Sequence, residues 1–360
     1  MIVGFIGAGR MGEALIAGLI SKGVFSKDQV IACAPSEETR ARMREKHGIE
    51  MYKTAKEVSE RSDVMFLAVK PKNVADVFAE GLSCKDKTVI SVVAGMTMES
   101  LGRLAPEARF VRVMPNHCCA VLEGAMGYVC DPSIPDPEKK QIAEMLGAVG
   151  LAVEVPEHEM DAVTGIAGSS PAFMYMVVEA MADAGVLNGL SRKDSVMLAA
   201  QSMLGAAKMV LETGKHPGQL KDEVCSPGGT TIVGVRALED LGLRSAMMAA
   251  VDGAICKSRE MSGRRSPSEK RLQQRRPYAG GVAPYRPGLP VQVLLVADGG
   301  VHHADALVLG LPEAGLPLLR VLDLQDGVDL VHQVPGDLRP LAPAPVLLLR
   351  DAPGAELLLG

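Results

Sequence analysis

The stretch VGFIGAGRMGEAL, residues 3–15, decides how the rest of the chain is read. An apolar run comes first, then glycines at 7, 9 and 12, then a segment with helical spacing. This is G-x-G-x-x-G in a strand–turn–helix context, where each glycine has a separate duty. Gly7 permits the tight turn, Gly9 lets the backbone approach a pyrophosphate, and Gly12 lets the helix pack on the strand. The free N–H groups of the helix start, with the positive end of its dipole, then favour the phosphates. The pattern predicts a dinucleotide loop of Gly7, Ala8, Gly9, Arg10, Met11 and Gly12.

The sequence that follows supports this. Apolar, β-branched runs at 2–6, 30–34, 64–69, 89–93, 110–114 and 152–155 alternate with helix-like segments at 13–22, 37–47, 74–81 and 137–147. Apolar strands alternating with helices predict a parallel sheet covered on both faces. Ligands in such sheets collect beyond the carboxyl ends of the strands. FLAVKP, SVVAG and VMPNHCC end three runs on that edge, so Val69, Lys70, Pro71 and Asn116 join the candidate cofactor contacts. His117 has no visible acid–base partner and is read as structural. The second run ends IACAPSEETR, with no acid between Ala32 and Pro35 to hold a ribose 2′-hydroxyl. Ser36 and Arg40 instead offer a hydroxyl and a cation to a 2′-phosphate, which favours NADP over NAD; a solvated Arg40 on a helix surface is the competing reading.

From about residue 157 to 263 the strand signal vanishes. Phe173, Met176, Val177, Ala180, Met181 and Ala184 recur at helical spacing, as do Met197, Ala200, Leu204, Ala207 and Leu211. Helices apolar on more than one face predict burial among other helices or against a second subunit, with the methionines as core filling. Within this region CSPGGTTIVG, residues 225–234, stands out. Gly228 and Gly229 allow unusual backbone angles, and the turn after them offers consecutive N–H groups with the hydroxyls of Thr230 and Thr231. That is a nest for a carboxylate, with Ser226 beside it. Ser169 or Ser170 with Pro171 reads as a helix start.

The 360-residue chain is 48% hydrophobic and 22% charged, as expected of a globular protein with room for two domains. A net charge of −5 argues against nucleic acid as a partner. Seven scattered cysteines without a CxxC suit free thiols in a reducing compartment, and no metal site is expected. With no secretory leader and no run long enough for a membrane span, the reading places the chain in the cytoplasm. From 264 onward the alphabet narrows: no Met, Ile, Cys, Asn, Thr or Phe occurs. RRSPSEKRLQQRRPYAGG reads as a basic linker, and VQVLLVADGG and APVLLLRDAPGAELLLG are apolar enough for strands. A frame-shifted or fused terminus gives such a bias.

Taken together, GFIGAGRMGEAL, FLAVKP, DAVTGIAGSSPAF, AAQSMLGAAKMVLETGKHPGQLKDEVCSPGGTTI and ALEDLGLRSAMMAAV resemble the pyrroline-5-carboxylate reductase family over residues 1 to about 262. The resemblance implies an α/β fold: an N-terminal Rossmann-type doubly wound sheet (1–155), an all-α substrate and dimerisation domain (156–263), and an atypical Pro/Leu/Gly-rich extension (264–360) outside the family pattern. It implies reduction of 1-pyrroline-5-carboxylate to L-proline with NADP as cofactor or, alternatively, NAD. It also implies self-association as a dimer or higher oligomer, without nucleic acid or membrane. The family's strand-end cofactor contacts fall on Val69, Lys70, Pro71 and Ala94, and its substrate loop on Ser226, Gly228, Gly229, Thr230 and Thr231, with Thr231 the catalytic candidate. Departures from the pattern are Ser170 in GSSPA, Cys118 after MPNH, Ala55 and Ala34. Two rivals stay open on residues alone: another NAD(P)-dependent imine or 3-hydroxyacid oxidoreductase, and a nucleotide-binding regulator without activity.

Overall fold

The computed structural model describes residues 1–264 and, beyond them, six strands between 290 and 359. The chain divides into two compact units, one of Met1–Pro227 with Ala246–Gln274, the other of Gly228–Ser245 with Arg275–Gly360.

The first unit is built on an eight-stranded sheet. Its strands are Val3–Ile6 (β1), Val30–Cys33 (β2), Glu50–Tyr52 (β3), Val64–Leu67 (β4), Thr88–Ser91 (β5), Arg109–Met114 (β6), Gly124–Cys130 (β7) and Gly150–Glu154 (β8). They lie in the order β3-β2-β1-β4-β5-β6-β7-β8. All pairs are parallel except β6 with β7, so the sheet is mixed where an all-parallel one was expected. β7 and the short β3 were not anticipated. Order reverses between β1 and β4, the topological switch point where a doubly wound sheet opens a crevice. Phe5 and Phe66 on these two strands stack with ring centroids 4.7 Å apart and no solvent exposure.

Helices Arg10–Ser21 (α1), Glu37–His47 (α2), Ala55–Arg61 (α3), Val74–Ala79 (α4), Met98–Leu104 (α5) and Asp136–Gly147 (α6) accompany the strands. Two apolar clusters form the core: one gathers Phe5, Leu15, Phe66 and Leu146, the other Ile6, Val58, Leu67 and Leu101. Two such clusters are what a sheet covered on both faces requires. Met160–Val163 (α7) then leads through a π-turn at Thr164–Gly168 into Ser170–Leu187 (α8), Arg192–Thr213 (α9) and Pro217–Val224 (α10). Ser169 stands at the start of α8 but makes no side-chain cap bond, because the chain arrives already helical.

The helical apolar positions are not core filling within this chain. Met176 is 68% exposed, Met197 58% and Leu211 72%. Of the two readings of that pattern, the unpartnered face remains.

The second unit contains Thr230–Asp240 (α11). Leu243–Met261 (α12) begins in it and continues in the first unit from Ala246. Strands Pro290–Ala297 (β9), Gly300–Val308 (β10), Leu318–Asp323 (β11), Asp329–Gln333 (β12), Leu347–Ala352 (β13) and Ala355–Leu359 (β14) form an antiparallel sheet in the order β12-β11-β10-β9-β14-β13. Of the strand-like segments read near 291 and 344, the described residues fall in β9, β10, β13 and β14. The basic linker lies, apart from Arg264, outside the described residues.

α1 and α2 are joined by charge. Glu13 accepts from Lys46 at 2.9 Å, pairs with Arg42, and lies 3.4 Å from the His47 ring. Burial pushes its carboxyl up, but Lys46, Arg42 and His47 together pull it further down, to about 2. A carboxyl depressed in the folded state stabilises above its unfolded value and loses that contribution as pH falls through the folded one. Stability is therefore expected to fall between its ordinary 4.5 and about 2. Urea midpoints measured across that window should drop less steeply for Glu13→Gln than for the parent chain.

Candidate functional site

The loop after β1 is built by close approach. Gly7 has φ +101°, and a Cβ there would lie 2.7 Å from the Ala68 carbonyl oxygen in the loop after β4. The two loops therefore touch at the switch point, and only glycine fits. A Cβ on Gly12 would enter the Gly7 carbonyl oxygen, so helix and strand pack without a spacer. Gly9 differs from both. Its backbone is ordinary (φ −76°, ψ −172°), and a Cβ would meet nothing within 4 Å. Gly9 leaves room outside the chain, where a ligand backbone would lie. It also caps α1 without a side chain, which leaves the first-turn N–H groups of Arg10, Met11 and Gly12 for an anion. Ala8 is buried and Arg10 exposed. These features fit a dinucleotide pyrophosphate.

The other strand ends converge on the same edge. Val69 is half-buried and touches the space at Gly7, while Lys70 and Pro71 are exposed and open a 3-10 turn over Pro71–Asn73. Ala94 precedes Gly95, which packs against Met261 of α12. Ser36 caps α2, its hydroxyl accepting the Thr39 N–H at 3.4 Å, and is exposed.

Two polar residues differ from expectation. Arg40, proposed to meet a 2′-phosphate or else to be solvated, does neither: it is only 8% exposed. Its guanidinium donates to the Ala34 and Pro35 carbonyls at 2.5 and 2.8 Å and grips Glu37, so it holds the loop after β2 in place. Asn116, expected beside the cofactor, is 6% exposed and bonded on both amide atoms within the chain. His117 beside it is exposed.

Two thiols and a phenol move toward the neutral form. Burial raises the Cys33 thiol to about 11 and pushes the Cys119 thiol up. Burial and the neighbouring Cys118 thiol raise the Tyr175 phenol. At neutral pH they are hydrogen-bond partners, not bases.

The turn between α10 and α11 has the form anticipated. Gly228 adopts φ +67°, and Gly229 caps α11 with no side chain. The hydroxyls of Ser226, Thr230 and Thr231 make no hydrogen bond among the described residues, and Thr231 is half-buried. Among those residues no cluster of His, Cys, Asp or Glu could hold a metal.

Sequence reasoning missed the π-turn at Thr164–Gly168 and its position against β6, where a Cβ on Gly168 would lie 2.8 Å from the Met114 methyl. The small-residue run TGIAGSS was the available signal. It also missed Asp161 of α7, which is 3% exposed and accepts from Ser258 at 2.7 Å and Arg264 at 3.1 Å.

Residues 157–261 match the family model for pyrroline-5-carboxylate reductase dimerisation, and 2–95 that for NADP oxidoreductase coenzyme F420-dependent. A pyrroline-5-carboxylate reductase of Methanosarcina acetivorans is 44% identical over 262 residues, covering 72% of this chain and 97% of that one. That of Escherichia coli is 40% identical, covering 72% and 98%. Among solved structures, the Coxiella burnetii enzyme aligns with TM-score 0.68 at 31% identity, covering 72% of this chain and 98% of that one. The Plasmodium falciparum enzyme, with NADP bound, aligns with TM-score 0.65 at 32% identity, covering 73% and 98%.

The contrast among the glycines is testable. Gly9→Ala should leave the melting temperature unchanged and weaken NADPH binding at least about tenfold, read by nucleotide fluorescence. Gly7→Ala should lower the melting temperature as well, because its φ and its space both exclude a side chain.

Proposed function

The chain belongs to the pyrroline-5-carboxylate reductase family, and on that premise we propose that it reduces the C=N bond of 1-pyrroline-5-carboxylate to give L-proline, with NADPH as donor. When bound, the nicotinamide supplies the hydride. What the chain must add is orientation, an anion site and exclusion of side reactions. The protonated imine is already an electrophile, so no strong acid is required of the protein.

The observation that carries the substrate assignment is the turn at 226–231. With no side chain on Gly229, the first N–H groups of α11 lack an internal cap. The Thr230 and Thr231 hydroxyls have no partner among the described residues. In this reading Ser226, Gly228, Gly229 and Thr230 hold the carboxylate. Thr231 hydrogen-bonds both the carboxylate and the ring nitrogen, and so stabilises the iminium form. Gly7, Ala8, Gly9, Arg10, Met11 and Gly12 hold the pyrophosphate. Val69, Lys70, Pro71 and Ala94 flank the nicotinamide half, and Ser36 faces the adenosine end.

The same premise carries further proposals. The chain acts in proline biosynthesis as a dimer or higher oligomer through residues 156–263, with 1–155 as the cofactor domain and 264–360 as an extension. The seven cysteines are all free thiols, which supports a reducing, cytoplasmic setting.

Thr231→Ala should lower kcat/KM for the imine about 10- to 100-fold, the effect of losing a hydrogen bond to a charged group, while NADPH affinity stays within about twofold. Steady-state NADPH oxidation and a nucleotide titration measure the two. An equal loss in both would remove Thr231 from the substrate site. Nucleotide binding without turnover by the parent chain would identify a regulator instead.

A further inference from the structure

We infer that Asn116 is a positioning residue for the reduction, holding the π-turn at Thr164–Gly168 against the carboxyl end of β6. The inference rests on the functional reading above and deepens it. The Asn116 carboxamide joins three segments. Its Nδ2 donates to the Ala167 carbonyl at 3.1 Å. Its Oδ1 accepts the Cys118 N–H at 3.1 Å and the Ala125 N–H at 3.3 Å. One buried side chain thus ties the loop leaving β6, the start of β7 and the π-turn into a single piece.

The geometry explains why the tie matters. In the π-turn the Ser169 N–H reaches back to the Thr164 carbonyl at 2.9 Å. The wider turn disturbs the regular ladder, so a carbonyl there needs an outside partner. Asn116 supplies it at Ala167. On the other side Gly168 has no side chain, and Met114, the last residue of β6, occupies the space a Cβ would take. The turn is therefore fixed by a hydrogen bond on one residue and by close packing on the next. It sits at the edge of the sheet where ligands of doubly wound folds bind. It leads directly into Ser169 and Ser170, whose hydroxyls make no hydrogen bond among the described residues. A shift here would deform the wall of the reaction space and leave the pyrophosphate loop alone, because that loop is set independently by Gly7 against Ala68.

Asn116→Asp isolates the one bond that matters. Aspartate still accepts from Cys118 and Ala125, but its ionised oxygen faces the Ala167 carbonyl with no proton to donate. The expected result is a melting temperature lowered by several degrees, because a buried carboxylate then faces an unpaired carbonyl, with NADPH affinity of the folded variant within about twofold and an imine KM raised about tenfold. Activity relative to the parent should recover as pH falls, because the protonated acid again donates to Ala167. Gly168→Ala, which crowds Met114 without touching Asn116, should give the same split between nucleotide affinity and imine KM. It serves as the test if Asn116→Asp fails to fold. Parent-like kinetics in both variants would overturn the inference. So would NADPH affinity falling in step with imine KM, since that marks a cofactor contact. Absence of imine turnover by the parent chain overturns the functional reading itself, and the inference with it.

Discussion

The closeness of Gly7 to the Ala68 carbonyl is the constraint on which the first unit depends. β1 and β4 are neighbours in the sheet, paired from Val3–Val64 to Ile6–Leu67, and the loops that follow them meet just beyond that pairing. The turn after β1 must bend with positive φ while pressed against the loop after β4. No side chain can be accommodated at Gly7. Once that turn is fixed, α1 starts at Arg10 with its N-terminus uncapped by any side chain. Glu13, one turn along, then meets Arg42, Lys46 and His47 and brings α2 into register. The loop after β1, the first helix and the second helix follow from one contact.

Much of this was legible in the sequence because glycine reports backbone geometry directly. The strands at Val3–Ile6, Val30–Cys33 and Val64–Leu67 are uninterrupted apolar runs, buried on both faces, and helix Glu37–His47 has clear caps. What was missed has physical reasons. β3 has three residues, too few for a pattern. β7 reads GAMGYVC, and its glycines mask a strand: Gly124 lies against Cys119, and Gly127 makes room for Val163 of α7. α3 and α5 have seven residues each, about two turns, which is too short for an apolar stripe to repeat.

Site residues were legible to different degrees for a related reason. Sequence tells what a side chain can bond, and the fold decides what reaches it first. Arg40 and Asn116 carry the right chemistry for a phosphate or a cofactor amide. In the fold, backbone carbonyls and N–H groups of neighbouring loops reach them first, and burial would leave those groups unsatisfied without them. Thr230 and Thr231 are at a helix start whose cap is glycine, so no local group competes for their hydroxyls.

The helical region carries the same logic to the scale of an assembly. Tyr175, Met176, Met181, Met197, Leu198, Leu204 and Leu211 remain exposed on α8 and α9, although both helices are long and apolar on several sides. A helix of that composition is stable in water only when covered. Each such side chain gains about 1.5–3 kcal/mol on full burial, so covering this set is worth on the order of 10 kcal/mol. That is comparable to the whole net stability of an ordinary domain, about 5–15 kcal/mol. The region matched by the dimerisation family model spans both helices. That match suggests self-association, and a partner laid over α8 and α9 would cover this set.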